Sequence, residues 1–339
     1  VNIVFFGSGA FGLPTLRALA DTHTLRAVVT QPDRPAGRGG KPTPTPIGAW
    51  AEAHAPTIPL FKPEKVNLPE IRDAIRALPA DAWVVIAFGQ KLSASLLADR
   101  FAINLHASLL PRWRGAAPIN AAILAGDTLT GNAVITLADR MDAGLVLGRT
   151  QRAIPPTATA GEMHDQLAED GPALVLEVLA RHEAGTLTPE PQDESLVTIA
   201  PKLTRADARV SFAEPADRVR CRINGLSPWP GVTAGFRGEG LKLLRADSQK
   251  HDGPTPPVAR LAEPCPRSDS GKVGATAPAP GTILDPAQGL VACAPGSALR
   301  LLEVQAPGKK AMPWGEFARG RSVQAGERLE DHADAPPGG

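Results

Sequence analysis

Over the first 137 residues, short apolar runs alternate with stretches of helical spacing. Residues 2–6 run apolar into Gly7-Ser8-Gly9-Ala10-Phe11-Gly12, and 13–20 continues with helical periodicity, which predicts a strand, a tight turn and a helix. Further strand-like runs at 25–30, 82–88 and 102–105 are interleaved with helical patterns at 68–78 and 116–124, and 131–137 is a separate strand-like run. This alternation predicts a parallel sheet flanked by helices. Residues 31–46 hold five prolines and three glycines, a composition that predicts a long, exposed, irregular loop. A single long helix is expected over 158–185, with Met163, Leu167, Leu174 and Leu179 among its apolar positions, closing the first domain.

The texture changes after Val210. Short runs at 231–236, 240–245, 281–284, 290–294 and 298–304, separated by Gly and Pro turns, predict a small β-barrel of the OB type. Residues 248–280 are dominated by Pro, Gly, Ser and Ala. Such a segment buries too little apolar area to offset its ordering entropy, so a flexible insertion between two barrel strands is expected.

At 339 residues the chain is long for one core, and the patterns divide it into an N-terminal domain over 1–185, a linker over 186–208 and a C-terminal domain over 209–330. No run approaches the roughly 20 apolar residues of a spanning helix, and the first residues lack the basic flank of a secretory signal, so a cytoplasmic protein with no membrane partner is expected. Cys221, Cys265 and Cys293 are too scattered for a disulfide framework or a zinc site, and no metal is expected. Charge is asymmetric. Residues 204–322 carry 17 Lys and Arg against 11 Asp and Glu, a balance that suits a polyanionic substrate as well as an ordinary solvated surface.

Two constellations bear on chemistry. Gly7, Gly9 and Gly12 with Asp33 match a dinucleotide fingerprint in form, but Asp33 falls inside the Pro-rich loop, and tight glycine turns also open α/β domains that bind no cofactor. The second lies where an apolar strand emerges into a polar loop. Asn104 and His106, two apart in that strand, point to one side. An amide N–H aimed at a developing oxyanion and an imidazole that manages protons together suit acyl transfer to an amine, and Asp142, just past the 131–137 run, is the candidate carboxylate to orient the imidazole. From spacing alone, turn-forming Asn and Asp beside a surface or satisfied core histidine are the weightier reading.

The segment Asn104-Leu-His-Ala-Ser-Leu-Leu-Pro-Arg-Trp-Arg-Gly115 resembles the signature of the folate-dependent formyltransferases. The resemblance implies a Rossmann-like N-terminal domain, a catalytic trio of Asn104, His106 and Asp142, and 10-formyltetrahydrofolate as formyl donor. It places the folate against Ser108, Leu109, Leu110 and Pro111 and against Phe88, Gly89, Gln90 and Leu92. Within the family the chain looks most like members that formylate methionine on initiator tRNA. That likeness marks Arg34, Arg38 and Lys41 in the Pro-rich loop, and Lys309 and Lys310 near the C-terminus, as tRNA contacts; Trp229 is read as a packing residue. Two departures stand out: the 248–280 insertion, and Val146-Leu-Gly-Arg149 where the family more usually has Asp-Thr-Gly-Asp. A monomer is expected. The alternatives left open are a formyltransferase for a small amine, a dinucleotide-dependent oxidoreductase and a non-enzymatic RNA-binding protein.

Overall fold

The computed structural model describes residues 1–36, 40–249, 277–294 and 296–331. Arg38, Cys265 and most of the expected 248–280 insertion lie outside the described residues. By contacts the chain forms two units, Val1–Ile119 with Leu129–Ala153 and Glu162–Pro201, and Asn120–Thr128 with Ile154–Gly161 and Lys202–Gly339. The first unit therefore takes in residues 186–201, which the sequence places in a linker.

The first unit is built on strands β1 (Asn2–Gly7), β2 (Thr24–Val29), β5 (Leu60–Phe61), β6 (Ala82–Ile86), β7 (Ala102–His106), β9 (Leu129–Thr136) and β10 (Val146–Ala153), with a small hairpin of β3 (Arg34–Ala36) and β4 (Lys41–Thr43). A further pair, β8 (Arg114–Gly115) and β11 (Ile199–Ala200), runs parallel. The main sheet has the order β10-β9-β7-β6-β1-β2-β5. Its helices include α1 (Leu13–Thr22), α2 (Pro46–His54), α3 (Pro69–Arg76), the short α4 (Ala94–Leu97) and the 24-residue α6 (Ala160–Glu183), most of which belongs to this unit. Strands β1 and β6 are buried on both faces, which is why they read as unbroken apolar runs. The long helix falls where expected, with Met163, Leu167, Leu174 and Leu179 all buried.

Strand direction changes across the sheet. From β5 to β7 it is parallel, but β9 runs antiparallel to β7, pairing His106 with Ala133 and Ile103 with Thr136, and β10 runs antiparallel to β9. A strand covered on both faces reads as apolar whichever way it points, so the pattern at 131–137 gave position without direction. The Pro-rich loop is also less irregular than its composition suggests. Pro35 faces Pro42 in the β3–β4 ladder, so the two missing N–H groups fall together and the flanking pairs, Arg34 with Thr43 and Ala36 with Lys41, remain.

The glycine turn has a packing reason. A Cβ on Gly7 would lie 2.6 Å from the Phe5 ring and 2.9 Å from the Ile86 carbonyl oxygen, and the Ser8 and Gly9 N–H groups both donate to the Ala87 carbonyl, at 3.2 and 3.4 Å. The turn lies flat against the end of β6. Asp33 is held by Lys62, 2.7 Å from its Nζ.

The second unit contains α5 (Pro118–Ala125) from Asn120 onward, α7 (Ala216–Gly225), α8 (Trp314–Gly320) and an antiparallel sheet of β12 (Val232–Phe236), β13 (Glu239–Gln249), β14 (Ile283–Asp285), β15 (Leu290–Cys293), β16 (Ser297–Gln305), β17 (Met312–Pro313) and β18 (Glu330–Asp331). The order is β14-β15-β16-β13-β12-β18, with β17 on β16. The sheet curls back on itself. Thr282 bridges Arg328, and the Ile283 and Leu329 N–H groups donate to the Glu327 and Gly281 carbonyls, so the β14 edge meets the segment that leads into β18. Leu243, Val291, Leu299, Leu301, Trp314 and Phe317 fill the interior.

Helix α7 is tied to this sheet most deeply at Asn224. The fully buried Asn224 donates through Nδ2 to the Ala246 carbonyl and accepts the Ala246 N–H through Oδ1, both at 2.9 Å, where β13 bulges between Arg245 and Ala246. Trp229, read from sequence as packing, is 53% exposed. Cys221 and Cys293 are free and buried, and burial pushes the Cys293 thiol up to about 12. Among the described residues no helix is long and apolar enough to cross a membrane.

Candidate active site

Strand β7 ends at the carboxyl edge of the parallel part of the sheet, the edge where open α/β sheets bind ligands. Asn104 is half-buried, and nothing among the described residues hydrogen-bonds its side-chain amide. His106 is buried, with its two ring nitrogens in different company. Nε2 lies 2.9 Å from the Trp113 carbonyl oxygen, and Nδ1 lies 3.6 Å from Asp142 Oδ2. A carbonyl only accepts, so Nε2 carries hydrogen and Nδ1 is the nitrogen that faces Asp142.

Asp142 reaches this place through a turn of narrow tolerance. Its φ is +53°, and a Cβ on Gly144 would stand 1.6 Å from the Thr136 carbonyl oxygen, so position 144 admits only glycine without displacement. The Asp142 carboxylate accepts the Gly115 N–H through Oδ2 at 2.9 Å. Gly115 is itself required, because its φ is +123° and a Cβ there would stand 2.4 Å from the Ala200 carbonyl oxygen across the β8–β11 pair.

One residue packed against the site escapes the sequence reading. Gln192 Nε2 donates to the carbonyls of Asp142 and Gly144 at 2.7 and 2.8 Å, while its Oε1 accepts from Nε and Nη2 of the buried Arg114 at 3.0 and 2.8 Å. Arg114 also binds Glu194 at 2.9 Å, and Arg140 approaches the same carboxylate at 3.1 Å. Hydrogen bonding from Arg114, then from Arg140, holds the Glu194 carboxyl below its ordinary value. Gln192 sits between Pro191 and Asp193 in a stretch that shows no periodicity, so only its tertiary position reveals it.

The side chains expected to line a folate divide into two groups. Phe88, Leu92 and Leu110 are core residues: Phe88 packs edge-on to Phe6, and Leu110 packs with Ala133, Ile135 and Val146. The Ser108 hydroxyl donates to the Arg112 carbonyl at 2.7 Å and closes its own loop, and the Gln90 amide is tied to the Pro63 carbonyl and the Val66 N–H. These residues therefore shape the crevice from behind, and what they can offer a flat heterocycle is backbone. Leu109, Pro111 and Gly89 remain partly or fully accessible, Gly89 with φ +83°. A cavity of about 380 Å³ is lined by Lys65, Asn67, Leu68, Gln90 and Lys91, the last two following Gly89 in the chain. Among the described residues no group of three His, Cys, Asp or Glu side chains could hold a metal ion.

Of the expected tRNA contacts, Arg34 is exposed but ion-paired with Glu64 at 2.6 Å, and Lys41 is exposed on the hairpin. In the second unit, Lys309 and Lys310 are exposed on a turn closed by the Lys309 N–H to the Ala306 carbonyl, with Gly308 at φ +67°.

Comparison with known proteins adds the following. The family model described as "Formyl transferase" matches residues 1–179, and "Formyl transferase, C-terminal domain" matches 202–322. A methionyl-tRNA formyltransferase from Methylococcus capsulatus is 40% identical over 97% of this chain and 99% of its own length. One from Salinispora tropica is 40% identical over 97% of this chain and 100% of its own. Among solved structures, HypX from Aquifex aeolicus in complex with tetrahydrofolic acid superposes with a TM-score of 0.57 at 16% identity, covering 93% of this chain and 46% of that one. WlaRD, a sugar 3N-formyl transferase, gives 0.61 at 11% identity, covering 91% and 99%. At those identities the structural likeness speaks for the fold, whereas the full-length sequence matches speak for the family: the chain belongs to the formyl transferases, in the methionyl-tRNA formyltransferase family.

Proposed function

We infer that the chain transfers the formyl group of 10-formyltetrahydrofolate to the α-amino group of methionine carried by initiator tRNA, in the cytoplasm, supplying formylmethionyl-tRNA for translation initiation. The observation that carries this reading is the open Asn104 amide two residues from a buried His106–Asp142 pair, at the ligand edge of the sheet, in a chain that matches methionyl-tRNA formyltransferases almost end to end. The neutral amine attacks the formyl carbon, and negative charge develops on the formyl oxygen. The Asn104 amide donates to that oxygen, and the positive charge of a protonated His106 stabilises it through its field. Trp113 holds Nε2–H, so the proton that makes the ring cationic sits on Nδ1, the side facing Asp142. The C–N bond to the folate then breaks, the amine proton leaves by way of Asp142 across a bridging water, and the folate nitrogen departs protonated as tetrahydrofolate.

The 87–92 and 108–111 segments would hold the donor, and Arg34, Arg38, Lys41, Lys309 and Lys310 would contact tRNA phosphates, which position RNA without reading its sequence. The test offers the full chain 10-formyltetrahydrofolate with charged initiator tRNA, charged elongator tRNA and glycinamide ribonucleotide in competition. Formylation of the initiator is expected. Transfer to the ribonucleotide alone would remove the tRNA from the reading, and no transfer to any acceptor would remove the reaction.

A further inference from the structure

The Asp142 turn is held by a closed ring of contacts lying wholly within the first unit. From the Asp142 and Gly144 carbonyls the ring passes to Gln192 Nε2, from Gln192 Oε1 to the Arg114 guanidinium, along one peptide to Gly115, and from the Gly115 N–H back to the Asp142 carboxylate. Arg114 only donates, so the Gln192 oxygen must face it and the NH₂ must face the two carbonyls. The amide orientation is thereby decided by chemistry as well as by placement. Both hydrogens of that NH₂ are used, one for each carbonyl, in a turn whose central residue sits at φ +53°. Residues outside helix and sheet hold such a conformation only when their surroundings over-determine it.

We propose that Gln192, oriented by Arg114, is the positioning residue for the Asp142 carboxylate: it clamps the left-handed turn so that the carboxylate stays opposite His106 Nδ1. This rests on the reading of Asp142 as part of the formyl-transfer machinery. The Gln192–Arg114 pair touches neither the imidazole nor Asn104 in any hydrogen bond given by the structure, so its influence on chemistry passes through the turn. Glu194, shared between Arg114 and Arg140, fixes the far side of the guanidinium and so keeps the bidentate face toward Gln192.

The informative variant is Gln192→Glu in the full chain. A carboxylate keeps the pairing with Arg114, which preserves the packing, but presents an acceptor to two carbonyls where a donor was. The turn loses its clamp. The expected result is a kcat for formyl transfer reduced about 10- to 100-fold, the scale of an ångström-sized misplacement of a catalytic group, with KM for the folate donor within about twofold of the parent. Combining Gln192→Glu with Asp142→Asn should add nothing further, because a clamp without a carboxylate to hold has no work left. A Gln192→Glu enzyme with parental kcat, or a double variant slower than Asp142→Asn by the full Gln192→Glu factor, would overturn the clamp while leaving the catalytic reading of Asp142 intact. Full activity in Asp142→Asn itself would overturn both.

Discussion

Asn104 and His106 carry similar catalytic weight in the proposed reaction but different structural weight, and this difference gives a paired prediction. The Asn104 amide has no protein partner among the described residues, and its position is half-buried. Asn104→Ala therefore removes no internal hydrogen bond, and its effect on unfolding free energy should stay within about 0.5 kcal/mol. His106 is buried and its Nε2–H satisfies the Trp113 carbonyl at 2.9 Å. His106→Ala removes that hydrogen bond and the packing of a buried ring, which should cost about 1–3 kcal/mol. Each substitution removes one group that stabilises the developing oxyanion, so each should lower single-turnover formyl transfer by about 10²–10³, equivalent to about 2.7–4 kcal/mol at the transition state. Urea titration followed by circular dichroism, run beside single-turnover kinetics on the same preparations, reads both quantities. An Asn104→Ala protein that transfers formyl at near-parental rate would refute its role, and an Asn104→Ala protein destabilised as much as His106→Ala would refute the claim that its amide is held open for substrate.

Three further outcomes follow from other parts of the molecule. Asn224→Ala strands the Ala246 N–H and carbonyl inside the second unit and should cost at least about 2 kcal/mol in urea titration; a loss below about 0.5 kcal/mol would mean that the β13 bulge finds other partners. Replacing Lys309 and Lys310 by alanine should make the salt dependence of KM for charged tRNA shallower by about 1.5 in the log–log slope, two phosphate contacts' worth, and an unchanged slope would remove both residues from the interface. Cys293, with its thiol pushed up to about 12 by burial, stays protonated through pH 9, so iodoacetamide should leave it unmodified in the native protein and label it in denaturant, as read by peptide mass mapping. Native labelling at the rate of a free thiol would contradict its burial.

The sequence was most legible where burial is symmetrical. Strands β1 and β6 read as continuous apolar runs because they are buried on both faces, and the long helix α6 showed its face through Met163, Leu167, Leu174 and Leu179. Strand direction was not legible, because the same symmetry hides whether β9 runs with or against β7. The β3–β4 hairpin was hidden for the opposite reason: Pro35 and Pro42 look like breakers until they are seen facing each other. At the site, Asn104 and His106 were legible through the motif running from Asn104 to Gly115, because period-two spacing alone did not separate them from structural residues. The buried placement of Phe88, Leu92, Leu110 and the Ser108 hydroxyl was not legible, since an apolar residue beside a loop reads alike whether it faces a ligand or the core. Gln192 was invisible because it meets Asp142 and Arg114 from 50 and 78 residues away in an aperiodic stretch, and only the fold brings the three together.

The second unit is assembled from three separate passages of chain. Asn120 donates to the Gly225 carbonyl, Arg220 and Asn224 donate to the Pro156 carbonyl, and the Gly161 N–H donates to Ser227. For inheritance this means the C-terminal portion is no cassette. A single recombination near residue 202 between two diverged relatives would deliver α7 and the sheet without the 120–128 and 154–161 segments they grew up with, and those segments would arrive from the other parent. Substitutions on α7 and on the two short passages are thus bound to one another in descent, although more than 50 residues separate them along the gene.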